Sequence, residues 1–131
     1  MTTHARGTFD VVVKPLPLEG DPPDPLRARM SLDKRYHGDL EATGQGQMLT
    51  AGTVEKGSAG YVAIERVSGK LAGRQGSFAL QHSGVMTRGK GELNITVVPD
   101  SGTDQLAGLS GRLQIIIANG VHSYDFEYDL G

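Results

Sequence analysis

Two ionisable side chains, Glu65 and His82, carry the sharpest chemical signal in the sequence. Both lie in segments that alternate apolar and polar residues, a pattern typical of half-buried β-strands. If these segments pair as a hairpin, the two groups lie diagonally across neighbouring strands, with Cα atoms roughly 7–8 Å apart. Apolar surroundings would raise the pKa of the Glu65 carboxyl group. Glu65 is therefore the first candidate for a general base, and His82 would orient it or take its place.

Structural explanations of the same residues stay open. If the alternation is shifted by one residue, Glu65 points outward and pairs with a basic residue such as Arg66. If both groups face inward, a satisfied structural pair explains them as well as catalysis does, because a buried carboxylate needs a partner. A pair between Lys34 and Glu41 is also open, and an exposed pair is favoured over an internal one.

Other motifs carry weaker signals. Residues 100–104 have a faint likeness to a calcium loop but lack its distal Glu, so a turn after Pro99 is favoured. The glycines Gly44 and Gly46 lack the strand–turn–helix context of a dinucleotide site. Four histidines without metal-ligand spacing and the absence of cysteine predict no metal site, no disulfide and no thiol nucleophile. We expect no cofactor.

Composition bounds the class of protein. The chain has 131 residues, a formal net charge of −2 and 37% hydrophobic residues, which predicts one globular domain over residues 1–131. The weak acidity argues against a nucleic-acid partner. No targeting segment or apolar run of membrane-helix length is present, so we expect no membrane partner and a cytoplasmic, bacterial location.

The elements that must position Glu65 and His82 are short strands. Nineteen glycines punctuate the chain at intervals of about ten residues, and no segment shows a sustained helical period. Five of the six prolines lie in residues 15–25, which predicts a surface excursion between two strands. Alternation predicts eight strands: 7–16, 27–37, 40–53 with an interruption at 44–46, 60–72, 76–87, 91–98, 109–118 and 121–130. Eight antiparallel strands in a chain of this size favour a closed barrel, which removes both sheet edges.

The last hairpin has the best-determined register. Asn119-Gly120 is a strong signal for a two-residue turn, because both positions tolerate positive φ. This turn pairs Ala118 with Val121, and it sets the later pairs Ile117–His122, Ile115–Tyr124, Leu113–Phe126, Gly111–Tyr128, Arg112–Glu127 and Gln114–Asp125. One face is then apolar and aromatic and the other polar, so His122, Tyr124, Phe126 and Tyr128 are predicted to point into the barrel.

The hairpin that carries Glu65 and His82 is treated in the same way. A two-residue loop at Arg74-Gln75, flanked by glycines, pairs Leu71 with Phe78 and Val67 with His82. It also pairs Glu65 with Gly84 and Ala63 with Met86. Glu65 and His82 are then both on the inner face.

Several segments resemble a bacterial family of uncharacterised single-domain proteins. They are residues 57–69 (GSAGYVAIERVSG), 76–84 (GSFALQHSG), 98–103 (VPDSGT), 106–111 (LAGLSG) and 122–128 (HSYDFEY). The resemblance covers nearly the whole chain and implies a β-barrel similar to that of allene oxide cyclase. It implies no reaction and no catalytic residues, because a shared fold does not fix function.

The sequence leaves two classes of function open. The first is a cofactor-free isomerase, cyclase or lyase that abstracts a proton from a small apolar molecule, with Glu65 or His82 as base and Tyr61, Tyr124 or Tyr128 as donor. The second is a non-catalytic, lipocalin-like binder or a barrel with a filled core. A homo-oligomer is left open. The expected lumen or ligand-binding residues are Tyr61, Phe78, Leu80, Met86, Ile115, Tyr124, Phe126 and Tyr128.

Overall fold

The computed structural model describes residues 2–19 and 24–131. Its eight strands form a closed antiparallel barrel in which each strand pairs with the next and the first pairs with the last. The strands are β1 (Thr3–Leu16), β2 (Arg27–Gly38), β3 (Leu40–Gly52), β4 (Ala59–Leu71), β5 (Arg74–Thr87), β6 (Lys90–Val97), β7 (Ser110–Ala118) and β8 (Val121–Asp129). A 3-10 turn, Asp104–Leu106, lies between β6 and β7, and the described ranges contain no α-helix.

The predicted all-β barrel is confirmed, and so are the existence and order of its strands. The largest difference at a strand end is at the start of β1, which begins at Thr3 rather than at residue 7. β3 runs through Gly44 and Gly46 without the interruption that the sequence suggested. The proline-rich excursion joins β1 to β2, as expected, although its residues 20–23 lie outside the described residues.

The β7–β8 hairpin has the predicted register at every pair, from Ala118 opposite Val121 to Gly111 opposite Tyr128. The predicted β4–β5 register is wrong by four residues. Its turn is at Ala72-Gly73, both with positive φ (49° and 82°), and not at Arg74-Gln75. Leu71 therefore lies opposite Arg74, and Val67 opposite Phe78. Because the shift is an even number, every side chain keeps its predicted face.

The two ends of the barrel differ. At the closed end, the start of β5 meets the 3-10 turn, and the core includes Leu71, Phe78, Leu106, Leu109 and Phe126, all buried. At the open end, inner-facing residues stay partly exposed: Val13, Met48, Tyr61, Met86, Leu93 and Ile117. The ladder between β6 and β7 consists of a single residue pair, Thr96 with Arg112, which lies toward the closed end.

Candidate functional site

Glu65 and His82 face the inside of the barrel and contact each other. Glu65 has no exposed surface and His82 is 2% exposed. Glu65 lies opposite Leu80, and His82 lies opposite Ala63, so the two remain diagonal neighbours despite the corrected register. The His82 Nε2 atom is 2.9 Å from the Glu65 Oε1 atom. The outward-facing alternative for Glu65 is thereby excluded.

Two residues of β2 also contact Glu65, and the sequence did not indicate either contact. The Lys34 Nζ atom donates a hydrogen bond of 3.1 Å to Glu65 Oε1, and the Tyr36 hydroxyl donates to Glu65 Oε2. Both side chains are buried. Neither the internal nor the favoured exposed Lys34–Glu41 pair is formed, because Lys34 is buried against Glu65, while Glu41 is exposed and accepts from the Gly38 backbone N–H. We call Lys34, Tyr36, Glu65 and His82 the buried network.

Glycines in β3 explain how the network spans three strands. Lys34 and Tyr36 belong to β2 and Glu65 to β4, with β3 between them. A Cβ atom at Gly44 would overlap the Glu65 Oε2 atom, and one at Gly46 would overlap the backbone oxygen of Ile64. The absence of a side chain at Gly44 lets the Glu65 carboxylate cross β3 to reach the Tyr36 hydroxyl, and its absence at Gly46 lets the backbones of β3 and β4 approach closely.

Aromatic rings surround the buried ammonium group. The Lys34 Nζ atom lies 5.1 Å from the centre of the Phe9 ring and 5.8 Å from that of Tyr36. Cation–π attraction of this kind adds to the ion pair with Glu65 when the cation is removed from water. The Lys34 ammonium group thus contacts a carboxylate and two aromatic rings inside the barrel.

The network keeps Glu65 ionised. Burial alone would raise the pKa of Glu65, but the hydrogen bond from His82, the charge of Lys34 and the hydrogen bond from Tyr36 together lower it below its ordinary value. The expected rise in this pKa is therefore wrong, because the sequence did not reveal Lys34 and Tyr36 as partners. Burial and the adjacent Glu65 carboxylate raise the pKa of the Tyr36 hydroxyl, so that it stays protonated as a donor.

The predicted lumen residues divide between the two ends. Phe78, Leu80, Tyr124, Phe126 and Tyr128 are buried in the core, and Ile115 packs against it. The Tyr124 hydroxyl is committed to the fold, since it accepts from the Leu40 N–H at 2.9 Å and donates to the His37 carbonyl at 2.9 Å. Tyr61 and Met86 instead lie at the open end.

A pocket of about 390 Å³ occupies one side of the open end. Its lining combines inner-facing residues of β3 to β6 with a few residues at the rim: Met48, Thr50, Ala59, Gly60, Tyr61, Gly84, Val85, Met86, Gly91, Glu92 and Leu93. The Tyr61 ring lies between this pocket and the network, with its centre 6.5 Å from that of the His82 ring. A larger groove of about 820 Å³, which includes Arg29 and Val62, lies on the outer face.

Within residues 2–19 and 24–131, no group of three or more His, Asp or Glu side chains is arranged to hold a metal ion. The same ranges contain no helix with the length and hydropathy needed to cross a membrane.

Comparisons with known proteins identify relatives of unknown function. The family described as "Protein of unknown function (DUF3224)" matches residues 5–128. A crystal structure at 1.84 Å resolution of a protein of unknown function from this family in Shewanella oneidensis MR-1 is similar, with 50% sequence identity and a TM-score of 0.93. The alignment covers 98% of this chain and 97% of that one. No curated protein matches.

Proposed function

Since the chain belongs to the DUF3224 family, whose function is unknown, we propose its function from the barrel itself: it binds a small apolar molecule at the open end. One observation carries the proposal. Met86, Leu93 and Ile117 lie on the inner face, yet they are 47%, 44% and 66% exposed. Apolar side chains that face inward and still contact water are the surface that an apolar ligand would cover.

The size and lining of the pocket support this proposal. A volume of about 390 Å³ lies within the usual range for small-molecule sites. Met48 and Met86 line the pocket, and Met30 lies opposite Met48 on the same inner face. Methionine side chains adapt to irregular shapes, which suits an apolar ligand that the rigid strands do not match closely.

A second candidate function, proton transfer in a cofactor-free isomerase, cyclase or lyase, rests on the contact between His82 and Glu65. In that case His82 is the better base, because the Glu65 carboxylate would hold the imidazole in a fixed orientation. Glu65 itself has less support as a base. Its lowered pKa and its three side-chain donors weaken it.

Three further expectations are proposed with this function. The first is a barrel architecture similar to that of allene oxide cyclase, which the sequence resemblance implies and which would carry no reaction with it. A cytoplasmic location and a homo-oligomer stay predictions from the sequence.

A fluorescence titration with the neutral apolar dye N-phenyl-1-naphthylamine tests the binding proposal. We expect a saturable rise in emission with the wild-type protein, and binding at least about tenfold weaker in Leu93→Asp, since a charge in the pocket opposes an apolar ligand. Ile116→Asp is the matched control. Ile116 is similarly exposed (48%) but lies on the outer face of β7, and this variant should bind like the wild type. Equal binding in all three proteins would contradict the proposal.

A further inference from the structure

Tyr61 lines the pocket with a hydroxyl group that is free to form a hydrogen bond with a ligand. Two other polar side chains line the pocket. The Thr50 hydroxyl donates to the Ala28 carbonyl, and Glu92 is exposed on the outer face of β6. Within the part of the chain that the structure describes, the Tyr61 hydroxyl has no hydrogen-bond partner. A ligand that covers Tyr61 removes this hydroxyl from water, which costs free energy unless the ligand supplies a partner.

The fold holds the Tyr61 ring in place. Tyr61 lies directly opposite Gly84 in the β4–β5 ladder. A Cβ atom at Gly84 would overlap the Tyr61 Cε1 atom, so the ring occupies the space that a side chain there would take. On its other side the ring approaches His82 of the buried network. The hydroxyl is therefore presented from a fixed ring rather than from a mobile one.

The local charge selects the kind of partner. Burial and the negative charge of Glu65 raise the pKa of the Tyr61 hydroxyl, so it remains a protonated donor at neutral pH. The same negative charge acts on any group that accepts a hydrogen bond from Tyr61. Lys34 pairs with Glu65 and offsets part of this charge, but Glu65 is the network charge that acts on the Tyr61 hydroxyl. An anionic group at this position is therefore disfavoured relative to an uncharged oxygen.

We infer that the ligand of the open end carries an uncharged acceptor oxygen, such as a ketone or ester carbonyl, which accepts a hydrogen bond from the Tyr61 hydroxyl. This inference rests on the proposed binding function and adds the chemical class of the ligand. Tyr61 thus recognises one oxygen, and the methionine-lined wall accommodates the apolar remainder.

Three naphthalene compounds test the inference by displacement of N-phenyl-1-naphthylamine: 2-acetylnaphthalene, 2-ethylnaphthalene and 2-naphthoate. Each is measured on the wild-type protein and on Tyr61→Phe, which removes the hydroxyl and keeps the ring. We expect the substitution to weaken the ketone about fivefold, the ratio that corresponds to a net hydrogen bond of about 1 kcal/mol. The hydrocarbon should change less than about twofold. Because each ligand serves as its own reference, differences in ligand hydration cancel.

A second variant moves the ring without deleting the hydroxyl. In Gly84→Ala the new methyl group displaces the Tyr61 ring, and the ketone should again lose more affinity than the hydrocarbon. Equal losses of ketone and hydrocarbon in Tyr61→Phe would overturn the hydrogen bond. Binding of 2-naphthoate to the wild type as tight as that of the ketone would overturn the requirement for an uncharged oxygen. If the dye itself fails to bind the wild type, the proposed function falls, and the inference with it.

Discussion

The two ends of this barrel are built from the same strands, but the inner face is buried at one end and partly exposed at the other. On β5, Phe78 is 1% exposed at the closed end, whereas Met86 on the same face is 47% exposed at the open end. The Phe78 ring stacks on Phe126 with centres 5.7 Å apart, and Leu106 adds to this core. An eight-stranded barrel is just wide enough to be filled by its side chains. This one is filled at one end only.

The buried network lies where the filled half meets the open half. A well-packed apolar group of similar volume would stabilise a core as well as a buried ion pair does, or better. The closed core therefore gains nothing from the charges of Lys34 and Glu65 that leucines could not supply. Through His82, the network also approaches the Tyr61 ring of the pocket, with ring centres 6.5 Å apart.

The largest expected effect is a loss of stability at the closed end of the barrel that has no counterpart at the open end. Phe126→Ala removes a fully buried ring between Phe78 and Tyr128, and we expect it to lower the free energy of unfolding by about 3–5 kcal/mol. Leu93→Ala, also on the inner face but at the open end, should lower it by less than about 1 kcal/mol. Urea denaturation of both variants measures the difference. Similar losses would mean that the open end is as tightly packed as the closed end.

A smaller effect should come from the network. Glu65→Gln leaves the Lys34 ammonium buried without its counter-charge, and we expect a loss of about 3 kcal/mol in the free energy of unfolding. Adding Lys34→Met should restore at least half of this loss, because the stranded charge is removed. Asp125→Asn serves as the control, since Asp125 pairs with His4 and Arg6 at the surface, and it should cost less than about 1 kcal/mol. Full stability in Glu65→Gln would show that Lys34 does not depend on the carboxylate.

The β7–β8 and β4–β5 hairpins show which parts of the strand register can be predicted from the sequence. Asn119-Gly120 is a turn with a single placement, and every pair of β7 with β8 follows from it. The β4–β5 turn has two placements within residues 71–76, and the one that forms places Ala72 at a positive φ, which a residue other than glycine rarely adopts. The backbone preferences of the individual residues therefore favoured a turn at Arg74-Gln75 over the turn at Ala72-Gly73 that forms. The alternation of β4 and β5 nevertheless assigned Glu65 and His82 to the correct face.

The contacts of Lys34 and Tyr36 with Glu65 depend on the curvature of the barrel, which the sequence does not reveal. Alternation reveals which residues share a face and which lie on adjacent strands, and this suffices for Glu65 and His82. Lys34 and Tyr36 reach Glu65 across a third strand, and only the glycine at position 44 makes the room. A clue existed in the sequence, because Lys34 falls in the same alternating set as Leu32 and Tyr36 on β2. The distance between β2 and β4 is set by barrel curvature, which pairwise patterns do not contain.

The smallest effect concerns pH and identifies the ionised state of the network. Because the folded-state pKa of Glu65 lies below its ordinary value of 4.5, the unfolded chain takes up a proton first as the pH falls. The stability that the Glu65 carboxylate contributes is thus present above about pH 4.5 and is lost as the pH falls through the folded-state pKa. Glu65→Gln lacks this carboxyl group, so the difference between the two proteins reports on Glu65. We therefore expect the difference in unfolding free energy between the two proteins to narrow from pH 5 to pH 3, by up to about 1.4 kcal/mol per pH unit. Urea titrations at half-unit steps measure this difference. A constant difference would mean that the pKa of Glu65 is the same in the folded and the unfolded chain. A widening difference would mean that burial outweighs Lys34, Tyr36 and His82 and raises the folded-state pKa above the ordinary value.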